Sequence, residues 1–250
     1  MRTSIKAILI ALPQHQLRDV TLRTDADADV QQLVESQHKS LVVVDITVSS
    51  NEWRGHSLPS LFSCPLLEKI AFDNTYAVDI RLITQEPWNC ANIKVLSMPL
   101  TPDRSGTNPE LTSLALEEKE EMAPGRDECD QAEILFMKQL GKMTQLRDFT
   151  YTGYRFKGGE PETLFLTWRL THGLGHLAGL SKLECLDFGR GSDHPGMDEL
   201  EFMRDHWPRL WRLRTHSPYP YLDDTLEWMQ ENWPSVVTAR YERARCGTVP

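Results

Sequence analysis

The chain has 250 residues, 40% apolar and 25% charged, with 14 glycines, 15 prolines and a formal net charge of -9. That length suits one or two ordinary domains, and the composition is that of a folded globular chain, which argues against disorder, collagen and coiled coil. No apolar run approaches the roughly 20 residues of a membrane-spanning helix, the longest candidate covering residues 8–12.

From the N-terminus, residues 1–12 (MRTSIKAILIAL) begin with a positive charge like a secretory signal. The apolar stretch is short and no small-residue cleavage site follows, so no signal peptide is expected. The first predicted strand comes soon after, carried by Leu17, Val20 and Leu22. The same spacing, apolar at relative positions 1, 4 and 6, returns along the chain. It is found at Leu41-Val44-Ile46, Leu67-Ile70-Phe72, Ile93-Leu96-Met98, Leu146-Phe149-Tyr151, Leu183-Leu186-Phe188, Leu210-Leu213-Thr215 and Val236-Ala239-Tyr241. Successive starts are separated by 24, 26, 26, 53, 37, 27 and 26 residues. The spacing, rather than the loose pattern, carries the signal. The 53-residue interval holds either a missed repeat or an insertion, and the 37-residue interval carries extra chain.

Helical periodicity precedes several of these strands, as in Ala132-Ile134-Leu135-Met137-Leu140, Leu200-Phe202-Met203-Trp207 and Leu226-Trp228-Met229-Trp233. The last two belong to segments that align without gaps, LEFMRDHWPRL on LEWMQENWPSV, offset by 26 residues. Asp198 and Asp223 or Asp224 are candidate helix N-caps, and Pro208 and Pro234 stand where the helices should stop. One short strand and one helix per repeat of this length describe a leucine-rich-repeat unit, in which each repeat buries its apolar face against the next. The expected fold is a single α/β solenoid over residues 1–250, curved, with a parallel inner sheet and outer helices. About eight irregular repeats are interrupted near residues 101–130 and 152–164.

The motifs LEKIAF, IKVLSM, LRDFTY and LECLDF, followed by MDELEFMRDHWPRL, resemble the degenerate leucine-rich-repeat region of fungal F-box-like proteins. The polar Asn or Cys that usually follows the third apolar position is missing from most copies, and no F-box precedes the first repeat. The resemblance implies a non-enzymatic protein-recognition module, with substrate recognition for a cullin-type ubiquitin ligase as its function. The adaptor contact must then come from elsewhere. A stand-alone inhibitor or scaffold is the alternative.

In such a fold positions 3, 5 and 7 of each strand line the concave sheet. Position 3 runs Asp19, Val43, Lys69, Val95, Asp148, Cys185, Arg212 and Thr238. Position 5 runs Thr21, Asp45, Ala71, Ser97, Thr150, Asp187, Arg214 and Arg240. The expected partner-binding residues are Asp45, Lys69, Asp148, Asp187, Arg212, Arg214 and Arg240, with Trp211 at position 2 as an exposed aromatic anchor. Neighbouring strands are close enough for Asp187 to pair instead with Arg212 or Arg214. Trp207, Trp228 and Trp233 fall on the apolar helical face and belong to the core. Eight acids against Lys119 and Arg126 in residues 117–133 form either a solvated face or a docking strip for a basic partner.

Five cysteines, Cys64, Cys90, Cys129, Cys185 and Cys246, have no CxxC spacing. Neither a disulfide framework nor a zinc site is expected, and a reducing intracellular compartment, cytoplasmic or nuclear, fits best. GLGHLA at 173–178 matches a dinucleotide fingerprint in letters only, because it precedes a strand instead of following one. His172 and His176 have metal-pair spacing but no adjacent Glu and no third ligand. No nucleophile motif or phosphate loop is found, so no catalytic residue, metal or cofactor is expected. Nucleic acid is disfavoured by the overall negative charge. An enzyme with its site in the two insertions is the rival class, to be distinguished by a deep cleft with converging polar groups.

Overall fold

A computed structural model describes residues 13–24, 26–48, 55–74, 78–101, 126–152, 166, 168–188, 195–215 and 223–240. Its elements in chain order begin with β1 (Asp19–Thr24), α1 (Asp27–Gln37), β2 (Val43–Val48), α2 (Leu58–Leu61), β3 (Lys69–Asn74), β4 (Val78–Asp79), α3 (Ile80–Ile83) and β5 (Val95–Thr101). Then come α4 (Arg126–Leu140), β6 (Asp148–Thr152), two 3-10 turns (Leu170–His172 and Leu174–Leu177), β7 (Cys185–Phe188), α5 (Met197–His206), β8 (Arg212–Thr215), α6 (Asp223–Asn232) and β9 (Val237–Arg240).

The architecture is α/β. Eight strands form a parallel sheet in the order β1-β2-β3-β5-β6-β7-β8-β9, so each strand lies beside the one before it in the repeat series. The two-residue β4 pairs with the end of β5. Parallel neighbours need a crossover, and the helical segments between strands supply it. From α1 to the 3-10 turns these segments pack in series, α1 on α2, α2 on α3, α3 on α4, and α4 on the 3-10 turns.

The register follows from which residues must be buried. Val44, Ile70, Leu96, Phe149, Leu186 and Leu213 at position 4 are at most 2% exposed, and they stand opposite one another from strand to strand. A slip of one residue would turn that whole row outward, so burial fixes the register. The chain enters β3 and each of β5 to β9 in the same way. The N–H of position 1 closes a turn on the carbonyl three residues earlier, at 2.9–3.3 Å, in the pairs Leu67–Cys64, Ile93–Cys90, Leu146–Met143, Leu183–Leu180, Leu210–Trp207 and Val236–Trp233. All six of those earlier residues are buried. The position-2 carbonyls of Arg18, Val42, Glu68, Lys94, Arg147 and Glu184 then each accept two N–H groups from the following strand, at 2.7–3.3 Å.

The long 93-to-146 interval contains no extra strand of the main sheet among the described residues: β5 pairs directly with β6, Val95 opposite Asp148. Residues 102–125 and 153–165, which hold most of both predicted insertions and of the acidic run, lie outside the described residues. Gln139 of α4 ties that helix to the segment between α3 and β5. Its Oε1 accepts the backbone N–H of Trp88 at 3.3 Å and its Nε2 donates to the Glu86 carbonyl at 3.3 Å. Aromatic rings cross the same region: Phe62 stacks on Trp88 at 4.1 Å, and Trp88 meets Phe136 edge-on at 5.6 Å.

Two expectations are corrected. Asp198 is not the N-cap of α5; Gly196 holds that position in extended backbone, and Asp198 sits in the first turn. The Glu199 carboxylate accepts the Gly196 N–H at 2.9 Å, which fixes the helix start two residues earlier. In β9 the register differs by one residue from the pattern, since Arg212 pairs with Val237 and Arg214 with Ala239. Arg240 therefore stands opposite Thr215 and not on the row of Arg214. In Val236-Ala239-Tyr241 the middle position is an alanine, a residue type that gives little burial energy to hold the register.

Candidate interaction surface

From β1 to β8 the strands present positions 3 and 5 on the face away from the buried rows. Lys69, on β3, reaches Asp45 on β2 with Nζ 2.9 Å from Oδ1 and 3.2 Å from Oδ2. Arg214 on β8 reaches Asp187 on β7, Nη1 to Oδ2 at 3.4 Å. Arg212 passes over β7 to Asp148 on β6, Nη2 to Oδ1 at 3.8 Å, a span of two strand spacings or about 9.6 Å. It can do so because the intervening position-3 residue is Cys185, small and 7% exposed. Burial pushes that thiol up to about 12, the hydrogen bond to Asp148 adds to the rise, and Arg212 opposes it.

Six of the eight expected residues thus form three ion pairs across the sheet. Such partly exposed pairs contribute little to stability, about 0–1 kcal/mol each. Between the Asp45–Lys69 pair and the arginines lies an uncharged floor of Ala71, Ser97 and Thr150. Trp211 stands apart from the buried tryptophans. It is 47% exposed, and the Arg212 guanidinium lies 5.3 Å from its ring centroid. Trp207 and Trp233 are buried and Trp228 packs against the core. The Arg240 side chain lies outside the described residues.

A second row escaped the reading of positions 3 and 5. At position 2, Lys94 meets Glu68 at 2.7 Å and Arg147 meets Glu184 at 3.8 Å. Its signal was present in the alignment as Glu68, Lys94, Arg147 and Glu184 in successive copies.

Other motifs find structural roles. Gly173 takes φ 98°, a conformation natural to glycine, between the two 3-10 turns that precede β7. That is not the strand-to-helix turn a dinucleotide site requires. His172 Nε2 lies 3.9 Å from Asp130 Oδ2. Among the described residues no group of three or more His, Cys, Asp or Glu is placed to hold a metal, and no helix is long and apolar enough to cross a membrane. Cys64, Cys90 and Cys185 are free and buried.

No protein-family model matches the chain, and no curated protein matches it. Among solved structures, the chain is similar to the tropomodulin C-terminal domain from Caenorhabditis elegans, with 10% identity and a TM-score of 0.37 over 83% of this chain and 93% of that one.

Proposed function

We propose that the chain is a leucine-rich-repeat-type solenoid that performs no catalysis and binds another protein through the outward face of its parallel sheet. The observation that carries this reading is the unbroken series of parallel neighbours from β1 to β9. From β1 to β8 a residue at position 3 or 5 of one repeat stands about 4.8 Å from its counterpart in the next. Such a face is rigid, extended and graded in chemistry, with a closed charge pair at one end, small side chains in the middle and an aromatic-arginine corner at the other. Repeat proteins use surfaces of this kind for recognition. Three buried free cysteines accord with a reducing intracellular setting. The resemblance to fungal F-box-like proteins extends the proposal to substrate recognition for a cullin-type ubiquitin ligase.

Affinity purification with mass spectrometry tests it, comparing wild type with a variant carrying Asp187→Lys, Arg212→Glu and Arg214→Glu. The expected result is a partner recovered with wild type and lost with the variant. Ligase adaptors recovered with both would support the ubiquitin-ligase role. Identical recoveries without any ligase component would overturn both the recognition face and the family-derived role.

A further inference from the structure

The ion pairs along the sheet are not equally closed. At the N-terminal end Lys69 contacts both oxygens of Asp45, at 2.9 and 3.2 Å, and Lys94 lies 2.7 Å from Glu68. At the C-terminal end the contacts are single and long, 3.4 Å for Arg214–Asp187 and 3.8 Å for Arg212–Asp148. A guanidinium carries five N–H donors in a planar fork and binds a carboxylate best through two parallel hydrogen bonds. Among the described residues each of these arginines meets one carboxylate oxygen, and both remain 39% exposed. Their acids all lie on the β6 and β7 side. On the other side the corrected register sets Val237 beside Arg212 and Ala239 beside Arg214, residue types without charge.

We propose that Trp211, Arg212 and Arg214 form a docking site for an acidic, extended segment of a protein partner, carrying carboxylates at positions i and i+2. The inference rests on the recognition reading above and names the chemistry of the partner. Arg212 and Arg214 are two residues apart on one strand, so their Cα atoms are separated by about 6.7 Å and their side chains leave the same face. An extended peptide presents its own i and i+2 side chains on one face with the same spacing. Each acid takes a guanidinium edge that no carboxylate among the described residues holds. Trp211, one residue before Arg212, offers its exposed ring to a flanking apolar side chain of the segment. The Asp45–Lys69 end, already closed, has no comparable fork to give.

The experiment is fluorescence anisotropy on the full chain with a labelled peptide containing Glu-Ser-Glu flanked by valine and threonine. Peptides with Gln-Ser-Gln and Lys-Ser-Lys serve as controls. The expected result is salt-sensitive binding of the Glu peptide at least about tenfold tighter than either control, as charge-assisted hydrogen bonds give. Arg212→Glu and Arg214→Glu each abolish that preference, Trp211→Ala weakens binding severalfold, and Lys69→Ala leaves it unchanged. Asp148→Asn and Asp187→Asn release the competing carboxylates and tighten binding severalfold, a gain that misfolding cannot produce. Equal affinity for the Glu and Gln peptides, or Glu-peptide binding unchanged in Arg212→Glu and Arg214→Glu, overturns the inference. The recognition face itself is judged separately, by the partner recovered from cells.

Discussion

The Glu199 carboxylate meets the Arg169 guanidinium at 3.2 Å across 30 residues of chain. The same carboxylate accepts the backbone N–H of Gly196 at 2.9 Å and of Leu170 at 3.2 Å, so one buried acid joins the start of α5 to the 3-10 turns that precede β7. The site is tight: a Cβ on Gly196 would lie 2.7 Å from Glu199 Oε2 and 2.8 Å from Arg169 Nη1. Glu199→Ala strands two N–H donors and is expected to cost about 2–3 kcal/mol. Glu199→Gln keeps one acceptor oxygen and should cost less. Urea unfolding of both variants checks the order, and equal losses would mean that the charge alone matters.

Gln37 plays the corresponding part at the other end of the sheet. Its side chain is fully buried, with Oε1 accepting the N–H groups of Gln16 at 2.9 Å and Leu17 at 3.1 Å and Nε2 donating to the Pro13 carbonyl at 3.0 Å. The amide thereby satisfies the backbone leading into β1. Gln37→Ala removes all three bonds and is expected to lose about 2–3 kcal/mol. Hydrogen exchange should show the loss as faster exchange at residues 16 and 17 before global unfolding.

These two polar side chains mark where the sequence stops being legible. The eight parallel strands stand where the 1, 4, 6 spacing puts them because each spacing is enforced by burial, and burial repeats with the chain. The exception is β9, where Ala239 gives burial little to hold and the predicted register is off by one residue. Gln37, Gln139 and Glu199 act once each, across 20 to 53 residues, so no periodicity announces them. The candidate face is intermediate. Its residues were readable from the repeat alignment, and the pairing of Asp187 with Arg214 followed from strand adjacency. The reach of Arg212 past Cys185 to Asp148 depends on one small side chain between two long ones, which only the strand order reveals.

Gly141 offers a test of packing between repeats. It follows α4 and lies so close to the 3-10 turns that a Cβ there would fall 2.2 Å from the His176 carbonyl oxygen. A backbone atom cannot swing away as a side chain does, so Gly141→Ala must push the turns from α4. A cost of about 1–3 kcal/mol is expected, seen as a lower Tm. Gly175→Ala, where a Cβ would meet nothing within 4 Å, is the control and should leave Tm nearly unchanged.

The buried cysteines make the alkaline limit of stability predictable in sign. Burial pushes the thiols of Cys64 and Cys90 up to about 12, whereas in the unfolded chain they ionise near the ordinary value of about 8.5. Between those values the unfolded state loses protons that the folded state keeps. Stability contributed by the neutral thiols is therefore complete below about pH 8.5 and falls as pH rises toward 12, by at most about 1.4 kcal/mol per pH unit for each group. Lysines and tyrosines titrate in the same range, so the informative quantity is the difference between wild type and the variant with Cys64→Ala and Cys90→Ala. That variant should be less stable at neutral pH, because two filled core positions shrink, yet its stability should fall less steeply above pH 9. Native protein at pH 8 should also leave both thiols unmodified by an alkylating reagent that labels them once urea is added. Parallel alkaline slopes in the two proteins would mean that these thiols are not held neutral by the fold.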